Sequence, residues 1–488
     1  MTATNEVSAP IPSSVTYVAY HAAQRPDAIA VIVNGSEITY QAFYRDIGCF
    51  VAALRKLELE SGQVVGIEHP HLYLHRLAVF ALEALGVTSF SYGKDDVSVL
   101  RAELADADML LCSADGAPDG HQNIQTMDQG WIDEIRRETP ENPIRTERLN
   151  RETPLRITRS SGTTGSLKCM YHTAAIREFW IENYLFCTGV NRRSRYLMSI
   201  GFTIEAMQYY ATACVRMGGT CIYDGRTDLA DVLTKQNISH VALPTFVLKQ
   251  LLDGMPHDYV KPKDLTIYLI SAAVPPDVRA KVRKYLANET LESYGTSECG
   301  GICDMDGDAN GVVRPGVIAE VVDDDEQPVF GEVGRVRVRS PGVVDGYIGD
   351  PGNTARMFRG DWFYPGDLAI MQDERTLKLV GRADDILNIG GVKFKPETLE
   401  EKLRQAVSVT DLCIVELTDD AGLNRLCIVV VPQDGSDGSE LKGQLSAHLP
   451  SNLGRVELVT AKHIPRTEMG KAKRNELVHT LQRREGAS

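Results

Sequence analysis

Along residues 15–115 the chain alternates segments with helically spaced apolar residues and short continuous apolar runs, and this rhythm limits the fold more than any other feature. Thr39 to Leu57 carries apolar residues at helical spacing. Gln63-Val64-Val65-Gly66-Ile67 then reads as a buried strand, and Leu74 to Leu85 is helical again with Gly86 as its stop. Strands that are apolar on both faces and separated by helices require a mainly parallel sheet covered by helices. Residues 116 to 154 are polar, contain Pro118, Pro140, Pro143 and Pro154, and read as a connecting stretch. Tyr196-Leu197-Met198, Cys221-Ile222-Tyr223, His240-Val241-Ala242-Leu243 and Thr266-Ile267-Tyr268-Leu269-Ile270 resume the strand series.

From about Gly311 the period shortens to two: Val336-Arg337-Val338-Arg339 and Leu377-Lys378-Leu379-Val380 alternate, with Gly/Asp turns between them. A small antiparallel β subdomain is expected over about 311–383. Beyond Asp384, two strands (near Cys413–Val415 and Cys427–Val431) and helices such as Pro396–Val407 predict a small α+β domain. A chain of 488 residues is expected to divide into two or three domains. The fold class read here is α/β: a large N-terminal domain, 1–383, with βαβ sheets and a β-barrel-like subdomain, and a small C-terminal domain, 384–488.

A net charge of −14 disfavours non-specific binding to nucleic acid or anionic membrane. No apolar run approaches the ~18–20 residues that span a bilayer, and Met1 to Ser14 reads as a frayed polar tail rather than a signal peptide. The ten cysteines lack CxxC pairs and read as free thiols of a cytoplasmic protein. His69, His71 and His75 form one histidine cluster. His71 and His75 could share a helix face and bind metal, but Glu68 is the single nearby carboxylate, and a surface or helix-entry cluster is the reading adopted.

Ser160-Ser161-Gly162-Thr163-Thr164-Gly165-Ser166-Leu167-Lys168 is a run of small hydroxyl and glycine residues ending in a lysine. Such a run can lie against a polyphosphate, with backbone N–H groups and hydroxyls as donors and Lys168 as the cation. It is not a Walker A loop, since no Gly-Lys-Ser/Thr follows at the required spacing, and a surface turn would use the same residue types. Four further motifs narrow the choice. Tyr294-Gly295-Thr296-Ser297-Glu298 sets an aromatic, a hydroxyl and a carboxylate close together, suited to a base, a phosphate and Mg²⁺. Trp362-Phe363-Tyr364-Pro365-Gly366-Asp367 puts a carboxylate after a tight turn, suited to a sugar diol. Gly381-Arg382-Ala383-Asp384-Asp385-Ile386 supplies an arginine for ribose or phosphate. Pro465-Arg466-Thr467-Glu468-Met469-Gly470-Lys471 presents a lysine on a glycine-containing loop. Taken singly, each is compatible with a solvated loop.

In this order, the motifs make the chain resemble the adenylate-forming superfamily of acyl-CoA synthetases, firefly luciferase and nonribosomal peptide synthetase adenylation domains. The resemblance covers essentially the whole chain. It implies that Ser160, Ser161, Gly162, Thr163, Thr164, Gly165 and Lys168 hold the β- and γ-phosphates of ATP. Tyr294 stacks on adenine, with Ala272 and Ala273 on its other side and Gly295 and Thr296 beside it. Ser297 bonds the α-phosphate, and Glu298 binds Mg²⁺. Asp367 holds the ribose hydroxyls with Arg382 next to it. Lys471 bridges the reacting carboxylate and the α-phosphate, so that Lys471, Lys168 and Glu298 carry the chemistry. Asp384 is the implied hinge of a mobile C-terminal domain, and Gly390, Gly391 and Lys393 would line the approach of an acceptor thiol.

The implied reaction is adenylation of a carboxylic acid by ATP with Mg²⁺, then transfer to coenzyme A or to the phosphopantetheine of a carrier protein. The acid is expected to be aryl or otherwise small. The implied acid pocket takes in Phe202, Thr203, Glu205, Met207, Gly295 and Gly300. Two registers stay open: counting from Gly218-Gly219 puts Glu205 at the amine-binding position of amino-acid-activating relatives, whereas aligning on Phe202 puts Thr203 there, and a buried Glu205 paired elsewhere fits equally. The alternatives are a stand-alone amino-acid adenylation enzyme, transfer to an amine or other non-thiol acceptor, and an inert nucleotide-binding homologue. Leu167 and Cys169 depart from the family loop, which has Pro and Gly there, and Lys393 stands where relatives often have Arg.

Overall fold

The computed structural model describes residues 10–485 apart from 98–99, 148, 161–167, 225–228, 258, 271–273, 275, 384–386, 390–391, 395, 419–423, 434–440, 442, 446–447, 450–455 and 467–471. The chain forms two compact units. The first comprises Met1–Ser160, Leu167–Ala319 and Val338–Phe363, and the second Ser161–Ser166, Glu320–Arg337 and Tyr364–Ser488.

The first unit holds two sheets. One is six-stranded, in the order Ile124–Thr126, Met109–Cys112, Val64–Glu68, Thr88–Ser91, Pro154–Ser160, Lys168–Thr173. Its first five strands are parallel and the last is antiparallel, with Ser160 and Lys168 in register across the last pair. The stretch expected to be a connector therefore contributes the edge strand Ile124–Thr126 and the helix Gln129–Arg137, capped by Asp128. A three-residue strand and a helix with only Ile132 and Ile135 buried carry too short an apolar pattern to stand out in sequence.

The second sheet runs Ser36–Thr39, Ile29–Val33, Thr220–Tyr223, Arg195–Leu197, His240–Pro244, Thr266–Ile270, Glu289–Thr296, and is parallel except at its first pair. Gly300–Met305 and Asn310–Val313 continue it antiparallel. Helices Tyr40–Arg55, Leu72–Ala84 and Glu205–Arg216 supply most of the apolar side chains that cover these sheets. The first begins where Thr39 caps the Ala42 N–H, and the second passes into Gly86 at φ +67°.

In the second unit, Asp367–Met371 pairs antiparallel with Val333–Arg335 on one side and with Thr376–Arg382 on the other. Its C-terminal part is a three-stranded sheet: Val409–Thr418 antiparallel to Asn424–Pro432, and Val456–Thr460 parallel to it. Alternation sends Leu412 and Ile414 to one face, under the helix Pro396–Ala406, and Cys413, Val415 and Leu417 to the other, under Arg474–Glu485. Among the described residues no helix is long and apolar enough to cross a membrane. All ten cysteines are free thiols.

Candidate active site

Strand alternation explains how the first unit builds its polar interior. On Pro154–Ser160, residues 156, 158 and 160 share one face, which leads inward from the start of the phosphate-type loop. Ser160 and Lys168 frame that loop as partners across the hairpin. Ser161, Gly162, Thr163, Thr164 and Gly165 lie outside the described residues, as do Ala272, Ala273, Asp384, Gly390, Gly391 and Lys471; the Lys393 side chain is likewise not described.

Lys168 is 8% exposed, and its Nζ lies 4.9 Å from the centroid of the Tyr347 ring. The Tyr347 hydroxyl donates to Glu298 Oε1 at 2.9 Å. Two backbone bonds hold this arrangement: the Val344 N–H donates to the Glu298 carbonyl at 2.9 Å, and the Ile348 N–H to the Cys169 carbonyl at 2.8 Å. A cation, an aromatic ring and a carboxylate thus form one buried line from the loop to the Tyr294–Glu298 motif. The Tyr347 bond engages one Glu298 oxygen. Among the described residues no group of three or more His, Cys, Asp or Glu forms a cage. A single carboxylate is the donor set expected of Mg²⁺ that takes its other ligands from phosphate and water, so Glu298 fits that ion.

Tyr294, Gly295 and Thr296 lie within the strand Glu289–Thr296 and pair with Cys303, Gly301 and Gly300, with a bulge between Tyr294 and Gly295. A Cβ on Gly295 would stand 2.3 Å from the Gly300 carbonyl oxygen, so glycine permits this close approach. Thr296 Oγ1 accepts from the Glu298 N–H at 3.2 Å and turns the chain there. The Ser297 carbonyl is held from below by His172, whose Nε2 lies 3.2 Å from it and 3.0 Å from Thr158 Oγ1. Burial, opposed by the nearby Glu205, lowers the His172 pKa to about 4, and the ring is neutral at physiological pH.

The acid-pocket candidates separate on packing. Phe202 and Met207 are core residues, 2% and 0% exposed, and Phe202 packs between the rings of His75 and Tyr223 at 5.6 and 5.7 Å. Thr203 lies beside Gly93. Glu205 pairs with Arg156, Oε2 to Nε at 3.2 Å, and Arg156 also donates to Ser89 and Ser91 at 2.9 Å each. The Glu205 charge is therefore matched within the protein. Gly300, at φ +73°, faces Trp180: a Cβ there would stand 2.8 Å from the indole.

The second unit carries the other motif pair. Asp367 and Arg382 are register partners across a hairpin, Nη1 to Oδ1 at 3.5 Å. Gly366, at φ +83°, leads into the first strand at the open end of the hairpin, and its carbonyl accepts from the Ala383 N–H at 2.8 Å. On the flanks of the Lys471 loop, Arg466 bridges Ala472 and the Lys473 N–H bonds the Pro465 carbonyl at 2.8 Å. Arg466 is locked to Asp411 by two bonds of 2.9 and 2.6 Å.

The histidine cluster is structural. The His71 side chain caps Leu74 at the entry of its helix, His69 Nδ1 accepts from the His71 N–H at 3.0 Å, and buried His75 bonds Ser91 at 2.8 Å. His172, Trp180, Tyr347 and Arg156 were not singled out in the sequence. Period-two alternation back from Ser160 is a signal that leads to Thr158 and Arg156 once a strand is assigned there, but no local signal reaches Tyr347, which is 179 residues beyond Lys168.

A two-sheet α/β unit followed by a small α+β sheet domain defines a two-domain α/β fold. The chain belongs to the AMP-binding enzyme family, whose model matches residues 18–348. It is 28% identical over 342 residues to the nonribosomal peptide synthetase CymA of Salinispora arenicola, which covers 65% of this chain and 4% of that protein's length. It is 24% identical to the fatty acid–[acyl-carrier-protein] ligase MmaC of Mycobacterium marinum, over 93% of this chain and 95% of the relative. Among solved structures, the o-succinylbenzoate CoA synthetase MenE of Bacillus subtilis, in complex with its acyl-adenylate intermediate, superposes with a TM-score of 0.81 at 20% identity. The match covers 94% of this chain and 97% of that one.

Proposed function

We propose that the protein is an AMP-forming acid–thiol ligase: it adenylates a small carboxylic acid with ATP and Mg²⁺, releases pyrophosphate, and passes the acyl group to a thiol. The observation that carries this reading is the buried line Lys168–Tyr347–Glu298 beside the Tyr294–Ser297 strand end. Attack of a carboxylate on the α-phosphorus brings two anions together. Lys168 would offset charge on the β- and γ-phosphates, Glu298 would hold Mg²⁺, and Lys471 would lie between the reacting oxygens, where the charge develops. Tyr294 would take the adenine and Ser297 the α-phosphate. Asp367 would accept from the ribose hydroxyls while Arg382 holds its carboxylate in place. Mg²⁺ when bound neutralises the leaving pyrophosphate. No protein nucleophile is required, since the substrate supplies it.

The second half-reaction is assigned to rotation of residues 384–488 about Asp384, withdrawing Lys471 and bringing Gly390, Gly391 and Lys393 toward the acceptor. That thiol is coenzyme A or a carrier protein's phosphopantetheine, and the names of the relatives MmaC and MenE support both. Ten free thiols support a reducing, cytoplasmic setting. The test is pyrophosphate exchange into ATP over fatty, aryl and amino acids. Exchange with one class is expected, and silence with all would refute the ligase reading. Lys471→Ala is expected to lose exchange while keeping thioester formation from supplied acyl-AMP.

A further inference from the structure

Within the first unit, beside the Gly295–Gly300 approach, four side chains from three elements surround one spot. Trp180, on the helix Ala174–Thr188, has its ring 4.4 Å from His172 and 5.5 Å from Tyr209, and its indole N–H donates to the Gly342 carbonyl at 2.9 Å. Glycine at both 300 and 342 lets the indole settle there, since a Cβ at either would stand under 3.0 Å from it. Trp180 is 5% exposed and fixed by these ring contacts and the Gly342 bond. Glu205 and Tyr209 lie one turn apart on the helix Glu205–Arg216, and Glu205 is close enough to both His172 and Tyr209 to act on them electrostatically.

Two polar atoms here are buried and have no partner: Glu205 Oε1 and His172 Nδ1. The Glu205 side chain is 10% exposed and His172 is 0%. Their chemistry is of one kind. The Ser297 carbonyl can only accept; with His172 Nε2 assigned as the donor to it, the Thr158 hydroxyl is left to accept from the same N–H or bond elsewhere, and Nδ1 offers a lone pair. An ionised carboxylate oxygen likewise only accepts. Leaving two buried acceptors unmatched is costly, at ~1–3 kcal/mol each, unless something brought to the site supplies a donor. The spot is not anionic: Arg156 matches Glu205, and Arg177, tied to Glu83 at 3.1 Å, adds positive charge near His172. A neutral donor suits it better than an ammonium.

We infer that this is the far end of the acid pocket, stopped by Trp180, where Glu205 Oε1 and His172 Nδ1 receive a neutral hydrogen-bond donor, so that the substrate is a compact hydroxy- or amino-substituted aryl acid. The inference rests on the adenylation reading above and narrows its substrate. It sets aside both a long alkyl chain, which Trp180 would block, and an α-ammonium, whose charge has no surplus anion to meet.

The experiment compares benzoate, its hydroxy and amino derivatives, decanoate and phenylalanine in two assays. One is pyrophosphate exchange, and the other is acid binding without ATP, read by tryptophan fluorescence. A substituted benzoate is expected to exceed benzoate by about 10²-fold or more in kcat/KM, because a site built around a donor rejects the analogue lacking it. Glu205→Ala should collapse that ratio, and Glu205→Gln, which keeps an acceptor oxygen, should preserve it. Loss of a purely structural contact would lower both acids together. Trp180→Ala should raise exchange with decanoate by about tenfold or more, and Trp180→Phe should move it the same way by less, which covers a misfolded alanine variant. Wild-type preference for benzoate, decanoate or phenylalanine would overturn the inference, as would an unchanged profile in Trp180→Phe. Selective binding without exchange for any acid would defeat adenylation and leave the subsite standing; exchange without selectivity would do the reverse.

Discussion

At the residue scale the site depends on groups whose roles come from their neighbours. Glu298→Gln removes the charge that fits Mg²⁺ and is expected to lower pyrophosphate exchange by ~10²–10³. Tyr347→Phe removes the 2.9 Å bond that orients it and should cost ~1 kcal/mol in the same assay, under tenfold. His172 provides a pH test. Burial chiefly lowers its folded-state pKa to about 4, against the pull of Glu205, whereas the unfolded chain titrates near the ordinary histidine value of ~6.5. The unfolded state therefore binds more protons between those values, and stability is lost as pH falls from 6.5 toward 4, by up to ~3 kcal/mol for this residue. His75, lowered to about 3 mainly by burial, adds to the same trend. Urea midpoints at stepped pH should decline over this window, and less steeply in His172→Gln.

At the scale of elements, two hairpins carry the proposed chemistry on paired strands. The Gly295–Gly301 pairing admits no side chain at 295, and Gly295→Ala, pressed against a backbone carbonyl at 2.3 Å, should destabilise by ~1–3 kcal/mol and lower the melting temperature. The flanks of the Lys471 loop are pinned by Arg466 to Asp411 on the strand Val409–Thr418. Arg466→Ala should reduce exchange while thioester formation from supplied acyl-AMP persists, since the second step does not need that lysine. Here the sequence was readable where a pattern was long: Tyr40–Arg55 and Thr266–Ile270 stood out by spacing, with Thr39 and Gly86 as punctuation. It was unreadable where a strand is three residues long, as at Ile124–Thr126, or half-buried along its length with no buried face to alternate, as for the strand Val456–Thr460.

At the scale of the whole molecule, the second unit takes in residues 320–337 and 364–488 and is discontinuous in sequence. A reading that cuts the chain at single points does not anticipate such a division, because strand pairing joins Val333–Arg335 to Asp367–Met371 across a long insertion. The proposed rotation about Asp384 is tested by Asp384→Pro, which restricts the backbone at one φ. One half-reaction is expected to survive and the other to fail, with exchange and thioester formation measured separately; equal loss of both would argue against a hinge.

By itself the sequence carried the family resemblance, since the hydroxyl- and glycine-rich loop, Tyr294–Glu298, Asp367, Arg382 and Lys471 are local motifs legible in their order along the chain. It determined the parallel α/β core for the same reason, because periodicity is a local property. Only the tertiary structure decided what Glu205 does. Its partner Arg156 is 49 residues away, and its unpartnered oxygen, His172 and Trp180 come together where strand and helix faces converge. Burial and pairing depend on contacts between distant segments, and those contacts exist only once the chain is packed.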